Sequence, residues 1–521
     1  MDHTPTVFQD TSQAFSWNWT HPIWGQLIAI ILTTIFVFRV YMPSWDGVKA
    51  PLVGYESWFE PALSVRMRFA KGALRMINNG YEKYKNSMYK VLRNDRDILV
   101  LSNKYAEELR NLPSERLNSI KALVRNFGGR YGGIELLVES DIGTRAIQTK
   151  VTPNLAKLTD GMRDELEYAL AHDLPVMEDW TSIPLLPMMV KIIARMSNRA
   201  FVGFPVCRNE KWLDAAAGFS HHVTMVQMTL RALPPIFRPF LDFFLPSSWK
   251  YRACIRQGKK ILTPEINQRR FREATDPNYE KPQDLLQAMM DLSTPGQKDS
   301  DPEDLAYRQL VMSLAAVHTT GSALAQAIFD LAARPEYFDI LREEVNQVVA
   351  EDGEGWAKQS LNKLRKMDSF FRESQRFNPP SLLGFHRIVD DPEGIKLHDG
   401  IHLPHGAHVC LPSYAISKDP SVIENADEFD GLRYYHLRKN PNETMKHQHA
   451  MTDKNHLHFG YGKYACPGRF FASNEMKMIL ATMLLRYEAK YPEGASRPTN
   501  MNIDEFMFVF PETPLLMKRV D

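Results

Sequence analysis

Hydrophobic positions recur at helical spacing along most of the chain, and long periodic segments predict helices near 58–90, 183–202, 208–232, 302–333 and 466–487. Two short runs rich in β-branched and aromatic residues, "DILVLS" and "EFMFVF", predict strands. One stretch breaks the amphipathic pattern. From His21 to Phe38 there is no Asp, Glu, Lys or Arg, and eighteen residues just reach the length that spans a bilayer. Asp2 and Asp10 precede this run and Arg39 follows it, which is the wrong order for a cleaved secretory signal. The expectation is an uncleaved anchor over 21–41, with a buried helix of a soluble domain as the alternative. Positive charge after the run (Arg39, Lys49, Arg66, Arg68, Lys71) places residues 1–20 on the lumenal side and the rest in the cytosol. Pro43 and Pro51 bound a stiff linker over 42–54, since each proline fixes its own backbone and extends its predecessor. No Gly/Ser-rich break follows, so 55–521 is expected to fold as one mainly helical domain with a minor sheet.

A second apolar run, Val311 to Phe329, also lacks charge, but His318, Thr319, Thr320, Ser322 and Gln326 make it a buried central helix rather than another span. Ala315, Thr319 and Ser322 share one face, leaving a stripe of small side chains against which a large group could lie. Gly321 costs about 1 kcal/mol of helix propensity relative to Ala and is expected to mark a local opening usable by water. Further back, "RALPPIFRPFLDFFLP" predicts either an apolar lip that meets a membrane or ordinary core packing. "KHQHAMTDKNHLH" carries His447, His449, His456 and His458 in a polar setting without i, i+4 pairing, which predicts a solvated loop rather than a metal site.

Composition narrows the function. With 63 Lys+Arg against 62 Asp+Glu, nothing global attracts a nucleic acid. Four cysteines, Cys207, Cys254, Cys410 and Cys466, are too sparse for a disulfide framework and too scattered for a zinc finger, which fits a reducing compartment. Attention then falls on Cys466, in "HFGYGKYACPGRFFA". The pattern Phe459-x-x-Gly462-x-x-x-Cys466-x-Gly468 is specific. Its glycines permit a tight turn and close approach to a flat group. Pro467 suits the first turn of a helix, which would put Cys466 where unpaired amides favour a thiolate. A thiolate so held is a haem-iron ligand.

This loop resembles the cysteine-ligand loop of the cytochrome P-450 family, the haem-thiolate monooxygenases. The resemblance covers nearly all of the chain after the anchor. It implies the family's mainly helical fold and a haem b ligated axially by Cys466, within a loop formed by Phe459, Gly462, Tyr464 and Gly468. Tyr464 departs from the family's usual Arg or His, which binds a haem propionate. The resemblance also implies that Glu373, Arg376 and Arg433 form a buried ion-pair network behind the loop. Glu107-x-x-Arg110 has the same spacing as Glu373-x-x-Arg376, so position alone distinguishes the pair, and Gly431 stands where the family usually has proline. In the central helix, Thr319 matches the hydroxyl that serves oxygen activation, and His318 replaces the family's acid, where it would relay protons. Ala315, Ser381, Leu382, Leu383, Phe508 and Val509 would line the pocket. No Gly-rich dinucleotide loop is present, so electrons from NADPH would arrive through a separate NADPH-cytochrome P-450 reductase. The expected activity is oxidation of a lipophilic small molecule, a terpenoid or meroterpenoid of fungal secondary metabolism, at the endoplasmic reticulum membrane, in contact with membrane lipid. The alternatives are a reductase-independent haem-thiolate isomerase or dehydratase, and a haem-binding protein without catalysis.

Overall fold

The computed structural model of the protein describes residues 25–27, 29–30, 33–34 and 48–520. The expected lumenal segment, most of the expected anchor and the first part of the expected linker, 42–47, lie outside the described residues. Among the described residues no helix is long and apolar enough to cross a membrane. The end of the expected linker is not a spacer. Lys90 donates its amide to the Pro51 carbonyl at 2.8 Å, and Val53 donates to the Lys90 carbonyl at 3.0 Å, so this stretch lies along the first strand. Pro51 has no amide to satisfy and only its carbonyl takes part, which suits an extended segment beside a strand edge.

The segment near 58–90 whose periodicity predicts helix is three elements, two of them helical: α1 (Ala62–Lys71), α2 (Leu74–Tyr84) and strand β1 (Met88–Leu92). Gly72, at φ 152°, ends α1. The break frees the Ala73 amide to donate to the Asp504 carbonyl at 2.9 Å, while the Asp504 amide donates to the Ala70 carbonyl at 3.0 Å. β1 pairs with β2 (Asp97–Leu101), the predicted "DILVLS" strand. With β3 (Leu117–Asn118), β5 (Gly384–Val389) and β6 (His408–Leu411) they form a sheet in the order β1-β2-β6-β5-β3, parallel only at β2–β6.

Helices make the larger body. β4 (Thr181–Pro184) leads into α3 (Leu185–Val202), followed by α4 (Glu210–Ala232), α5 (Pro246–Thr275), α6 (Pro302–Ala332), α7 (Arg365–Phe377) and α8 (Arg469–Arg486). α6 is the axis. Asp301 caps it by accepting from the Glu303 amide at 3.2 Å, Pro302 occupies its first turn, and Glu303 and Asp304 complement the dipole there. It packs against α3, α4, α5, α7 and α8, and these helices carry the largest core cluster. Gly321 does not open the helix. A Cβ there would meet Val190 Cγ2 at 2.8 Å, so the glycine serves close packing of α6 on α3. The chain closes with β7 (Tyr487–Lys490), the hairpin β8 (Met501–Ile503) and β9 (Phe506–Phe508), and β10 (Pro514–Arg519), which pairs between β4 and β7.

Candidate active site

The cysteine loop is folded by its own backbone. Cys466 donates its amide to the Phe459 carbonyl at 2.7 Å, Gly460 to Leu457 at 2.8 Å and Ala465 to Gly462 at 3.1 Å. Gly462 has φ 73°, and a Cβ there would lie 2.4 Å from the Arg110 carbonyl oxygen. No other residue fits that position. Helix α8 begins at Arg469, two residues later than Pro467 would suggest, with Gly468 as its cap. The amides of Gly468 and Arg469 reach the Cys466 sulfur. Enclosure raises the pKa of the thiol above its ordinary value, and those two amides, with the Arg469 charge, oppose the rise. Cys466 retains accessible surface although protein atoms surround it. Its side chain therefore opens onto an interior hollow.

Two sets of residues brace this loop. The first was passed over in sequence. Glu107 accepts a hydrogen bond from the Tyr461 hydroxyl at 2.6 Å, the Arg110 guanidinium lies 5.1 Å from the Tyr461 ring, and the Arg110 carbonyl accepts from the Lys463 amide at 3.3 Å. Glu107 and Arg110 also pair with each other at 2.9 Å. Their spacing was visible, but only the tertiary fold sets them under the loop. The second set is the expected network. Arg376 and Glu373 are fully buried and paired through two bonds, of 2.7 and 2.9 Å. Arg376 also donates to the carbonyls of Ser417, Ala426 and Glu428. Arg433 reaches Glu373 at 3.3 Å and binds the carbonyls of Glu424, Asn425 and Glu428. The three side chains thus tie α7 to the segment before the cysteine loop. Gly431 has a local reason: its amide donates to the Tyr337 hydroxyl at 3.0 Å, which proline could not do.

On α6, Ala315 and Thr319 are exposed in the middle of a helix that is otherwise mostly buried, which places both on the wall of a hollow. The Thr319 hydroxyl donates to the Ala315 carbonyl at 2.7 Å. That bond fixes its rotamer and leaves its oxygen lone pairs facing outward as acceptors. His318 is not brought to the same face. Consecutive helical residues point about 100° apart. Its imidazole bonds to the Ala217 carbonyl of α4, and burial lowers its pKa below the ordinary value, with His221 adding to the fall. It is held as a neutral ring between two helices, which removes the geometric basis for a proton relay alongside Thr319.

The other expected pocket residues divide. Ser381 and Phe508 are half-buried, whereas Leu382, Leu383 and Val509 are at most 2% exposed and sit in core clusters, so they support the wall from behind. The hairpin carrying Phe508 is clasped to α4, because Arg231 donates to Asp504 at 2.7 and 3.0 Å. The histidine-rich loop is not solvated. His449 and His456 are buried, and burial lowers the pKa of His449 to about 4 and of His458 to about 3. His449 packs edge-on against Phe459, 5.3 Å between ring centres. The loop folds back under the cysteine loop, and its rings become packing material. Among the described residues no cluster suited to a metal ion occurs.

A family model described as cytochrome P-450 matches residues 83–519. The chain belongs to the cytochrome P-450 family. It is 58% identical to the cytochrome P-450 monooxygenase terK of Tolypocladium album, over 96% of this chain and 95% of that one. The cytochrome P-450 monooxygenase ltmK of Epichloe festucae is 46% identical, with 96% and 94% covered. The ent-kaurene oxidase of Gibberella intermedia is 39% identical, with 92% and 89% covered. The fold is that of the crystallised cytochrome P-450DA haem domain, at a TM-score of 0.67 and 17% identity, covering 92% of this chain and 98% of that one.

The residues of this P-450 fit a cysteine-ligated haem. Besides the accessible Cys466 sulfur, two buried donors near the loop have no protein partner, the Tyr464 hydroxyl and Nη2 of Arg387. Arg387 is 4% exposed, pairs with no carboxylate among the described residues, and lies 5.4 Å from the Tyr464 ring. Burial lowers the pKa of its guanidinium to about 10. A buried cation without a counter-ion is costly, and a haem carboxylate is the anion it lacks. Arg387 and Tyr464 would hold that carboxylate. The charge missing at position 464 would thereby come from β5, where Phe385 at φ 57° and a register shift between Gly384 and Arg387 interrupt the regular strand. Haem ligated by thiolate supplies the oxidising chemistry of a monooxygenase. Cys466 would supply the ligand sulfur, and the Thr319 hydroxyl would accept and pass on a proton.

Proposed function

We propose that this haem-thiolate monooxygenase inserts one oxygen atom into a terpenoid or meroterpenoid skeleton in fungal secondary metabolism, drawing electrons from an NADPH-dependent reductase. The observation that carries the reading is the accessible face of Ala315 and Thr319, small and uncharged, in the middle of the otherwise mostly buried helix α6. Such a wall admits a bulky apolar molecule and offers one hydroxyl at the reacting end. The ent-kaurene oxidase likeness supports a polycyclic hydrocarbon skeleton.

The enzyme works at a membrane, with residues 1–20 lumenal, 21–41 as the anchor and the domain on the cytosolic side of the endoplasmic reticulum. The segment "PPIFRPFLDFFLP" supports this. Ile236, Phe240, Phe243 and Phe244 are each more than 60% exposed. Trp58 and Phe59 are about 90% exposed, just ahead of α1. Asn94 connects the two regions, contacting the Ala232 carbonyl at 2.9 Å and the Met67 sulfur at 3.8 Å. Aromatic side chains so displayed sink into the lipid interface and would let a lipophilic substrate enter without crossing water.

The test is co-expression with a fungal P-450 reductase and incubation of the membranes with NADPH and a panel of cyclic terpenes. The expected product is one oxygen atom heavier than its substrate and is absent without NADPH. A product of unchanged mass, formed without NADPH, would replace this reading with an isomerase.

A further inference from the structure

Three arginines meet beside the exposed aromatic segment. Arg96 lies in the turn between β1 and β2, Arg125 in the last turn of the short helix Ser119–Asn126, and Arg238 within "PPIFRPFLDFFLP" itself. Arg96 and Arg125 both direct Nη1 at one acceptor, the Gly406 carbonyl, at 3.5 and 3.4 Å. All three are partly buried, and burial lowers the pKa of each. The charges of Arg96 and Arg238 lower that of Arg125 further, to about 10. The carboxylates that oppose these shifts are already held by other cations: Asp95 by Arg93 at 2.8 Å, Asp97 by Arg66 at 2.6 Å and Asp390 by Lys121 at 2.6 Å. Among the described residues, only Asp95 comes within ion-pair range of the three, standing 3.7 Å from Arg238 and beyond hydrogen-bond reach.

A ligand can reach these groups. Nη2 of Arg96, Nη2 of Arg125 and Nη1 of Arg238 have no hydrogen-bond partner among the described residues, and all three atoms keep accessible surface, unlike Nε of Arg238, which is enclosed. Three cations with free donors and no carboxylate in hydrogen-bond reach suit an anion with several oxygens, since a guanidinium binds phosphate through two parallel bonds. The surroundings indicate which anion. Asn94, in the same turn as Arg96, donates to the Ala232 carbonyl at 2.9 Å, just ahead of the aromatic segment. Ile236, Phe240, Phe243 and Phe244 of that segment are each more than 60% exposed. A phosphate bound by the arginines therefore has apolar surface beside it for acyl chains.

We propose that Arg96, Arg125 and Arg238 bind the phosphate of an anionic phospholipid whose acyl chains lie along the aromatic segment. The site rests on the reading of that segment as the face that meets the membrane, and it adds a headgroup preference that aromatic contact alone does not give. Phosphatidic acid suits it, with one phosphate and no cation of its own. Phosphatidylcholine fits worse, because its quaternary ammonium would stand near three guanidinium groups.

The test uses the full-length haem-loaded protein in a neutral detergent. It is titrated by calorimetry with dihexanoyl phosphatidic acid, dihexanoyl phosphatidylcholine and inorganic phosphate, each lipid below its own micelle concentration. The expected result is saturable binding of the phosphatidic acid, at least about tenfold tighter than that of either other ligand. Arg125→Gln and Arg238→Gln should each weaken it at least about tenfold, while Lys211→Gln, exposed at the far end of α4, should leave it within about twofold. Arg125→Gln keeps a donor for Gly406 and decides alone if Arg238→Gln fails to load haem. Absence of saturable binding, equal binding of the two lipids, or binding undiminished by Arg125→Gln overturns the proposal. Inorganic phosphate bound as tightly as phosphatidic acid also overturns it, making the ligand a free anion. A dissolved lipid needs no bilayer, so these outcomes are independent of the membrane contact. That contact is read separately from the quenching of exposed Trp249 by vesicles of brominated phosphatidylcholine, taken as the difference between wild type and Trp249→Phe.

Discussion

Replacing Arg376 by lysine keeps the charge beside Glu373 and removes the fork. One guanidinium makes five bonds here: two to the Glu373 carboxylate and one each to the carbonyls of Ser417, Ala426 and Glu428, at 2.5 to 3.1 Å. An ammonium has three donors on a single centre, so at least two of these buried acceptors go unmet. At roughly 1–3 kcal/mol for each, Arg376→Lys loses about 2–6 kcal/mol, a large part of the ~5–15 kcal/mol that holds a typical domain together. The loss falls on function because the three carbonyls belong to the segment that Arg433 also grips. The assay is the reduced, carbon monoxide-bound spectrum per mole of purified protein, with the thermal midpoint alongside it. The thiolate-type band should fall sharply and the midpoint with it. Arg433→Lys should be milder, since Arg433 is only half-buried and water can replace lost donors. If Arg376→Lys loads haem fully and stays within about 1 kcal/mol of the wild type, the reasoning from donor count is wrong.

Gly431→Pro, which restores the usual family residue, should lower the thermal midpoint: the Tyr337 hydroxyl loses its donor, and the added carbon would lie 2.7 Å from Phe370. An unchanged midpoint would mean that the glycine has no structural role. Glu475 is buried on α8 with Ser197 as its hydrogen-bond partner at 2.8 Å, and burial raises its pKa from 4.5 to about 8. The unfolded chain ionises first, so this group's stabilisation is complete below about pH 4.5 and is lost as pH rises toward 8, by about 4 kcal/mol at pH 7.5. Glu475→Gln should therefore melt less pH-dependently than wild type between pH 6 and 8, and parallel curves would refute the shift. His318→Ala should leave product formed per NADPH within about twofold of wild type, whereas Thr319→Val should cut it roughly tenfold or more. Equal losses in both would return His318 to the proton path.

What was legible in the sequence was set by local pattern. The cysteine loop could be read because its constraints lie within ten residues: a left-handed glycine, a turn closed by the Cys466 amide and a helix that follows at once. α6 could be read from its helical periodicity and an uncharged run that carries buried polar residues. The stretch 58–90 could not. Its apolar spacing continues through a glycine whose break is stabilised only by Asp504, far along the chain. The histidine-rich loop misled for a similar reason, because polarity argues for solvent only until a neighbouring segment offers neutral imidazoles a dry surface.

Arg387 and Glu107 show the limit most clearly. In sequence Arg387 is a lone charge inside the strand "GFHRIV", and Glu107 repeats a spacing found elsewhere in the chain. Each acquires meaning from what faces it: Tyr464 without a charge in one case, Tyr461 and the tight Gly462 turn in the other. The substitution at 464 and the arginine on β5 are two halves of one fact. Tyr464 stands where the family resemblance leads one to expect a cation, and an unneutralised buried guanidinium lies 5.4 Å from its ring. The charge requirement of a haem carboxylate belongs to the site, so it can be met from any element that reaches it. A motif read along the chain records which residue usually meets such a requirement. The fold determines which residue meets it here.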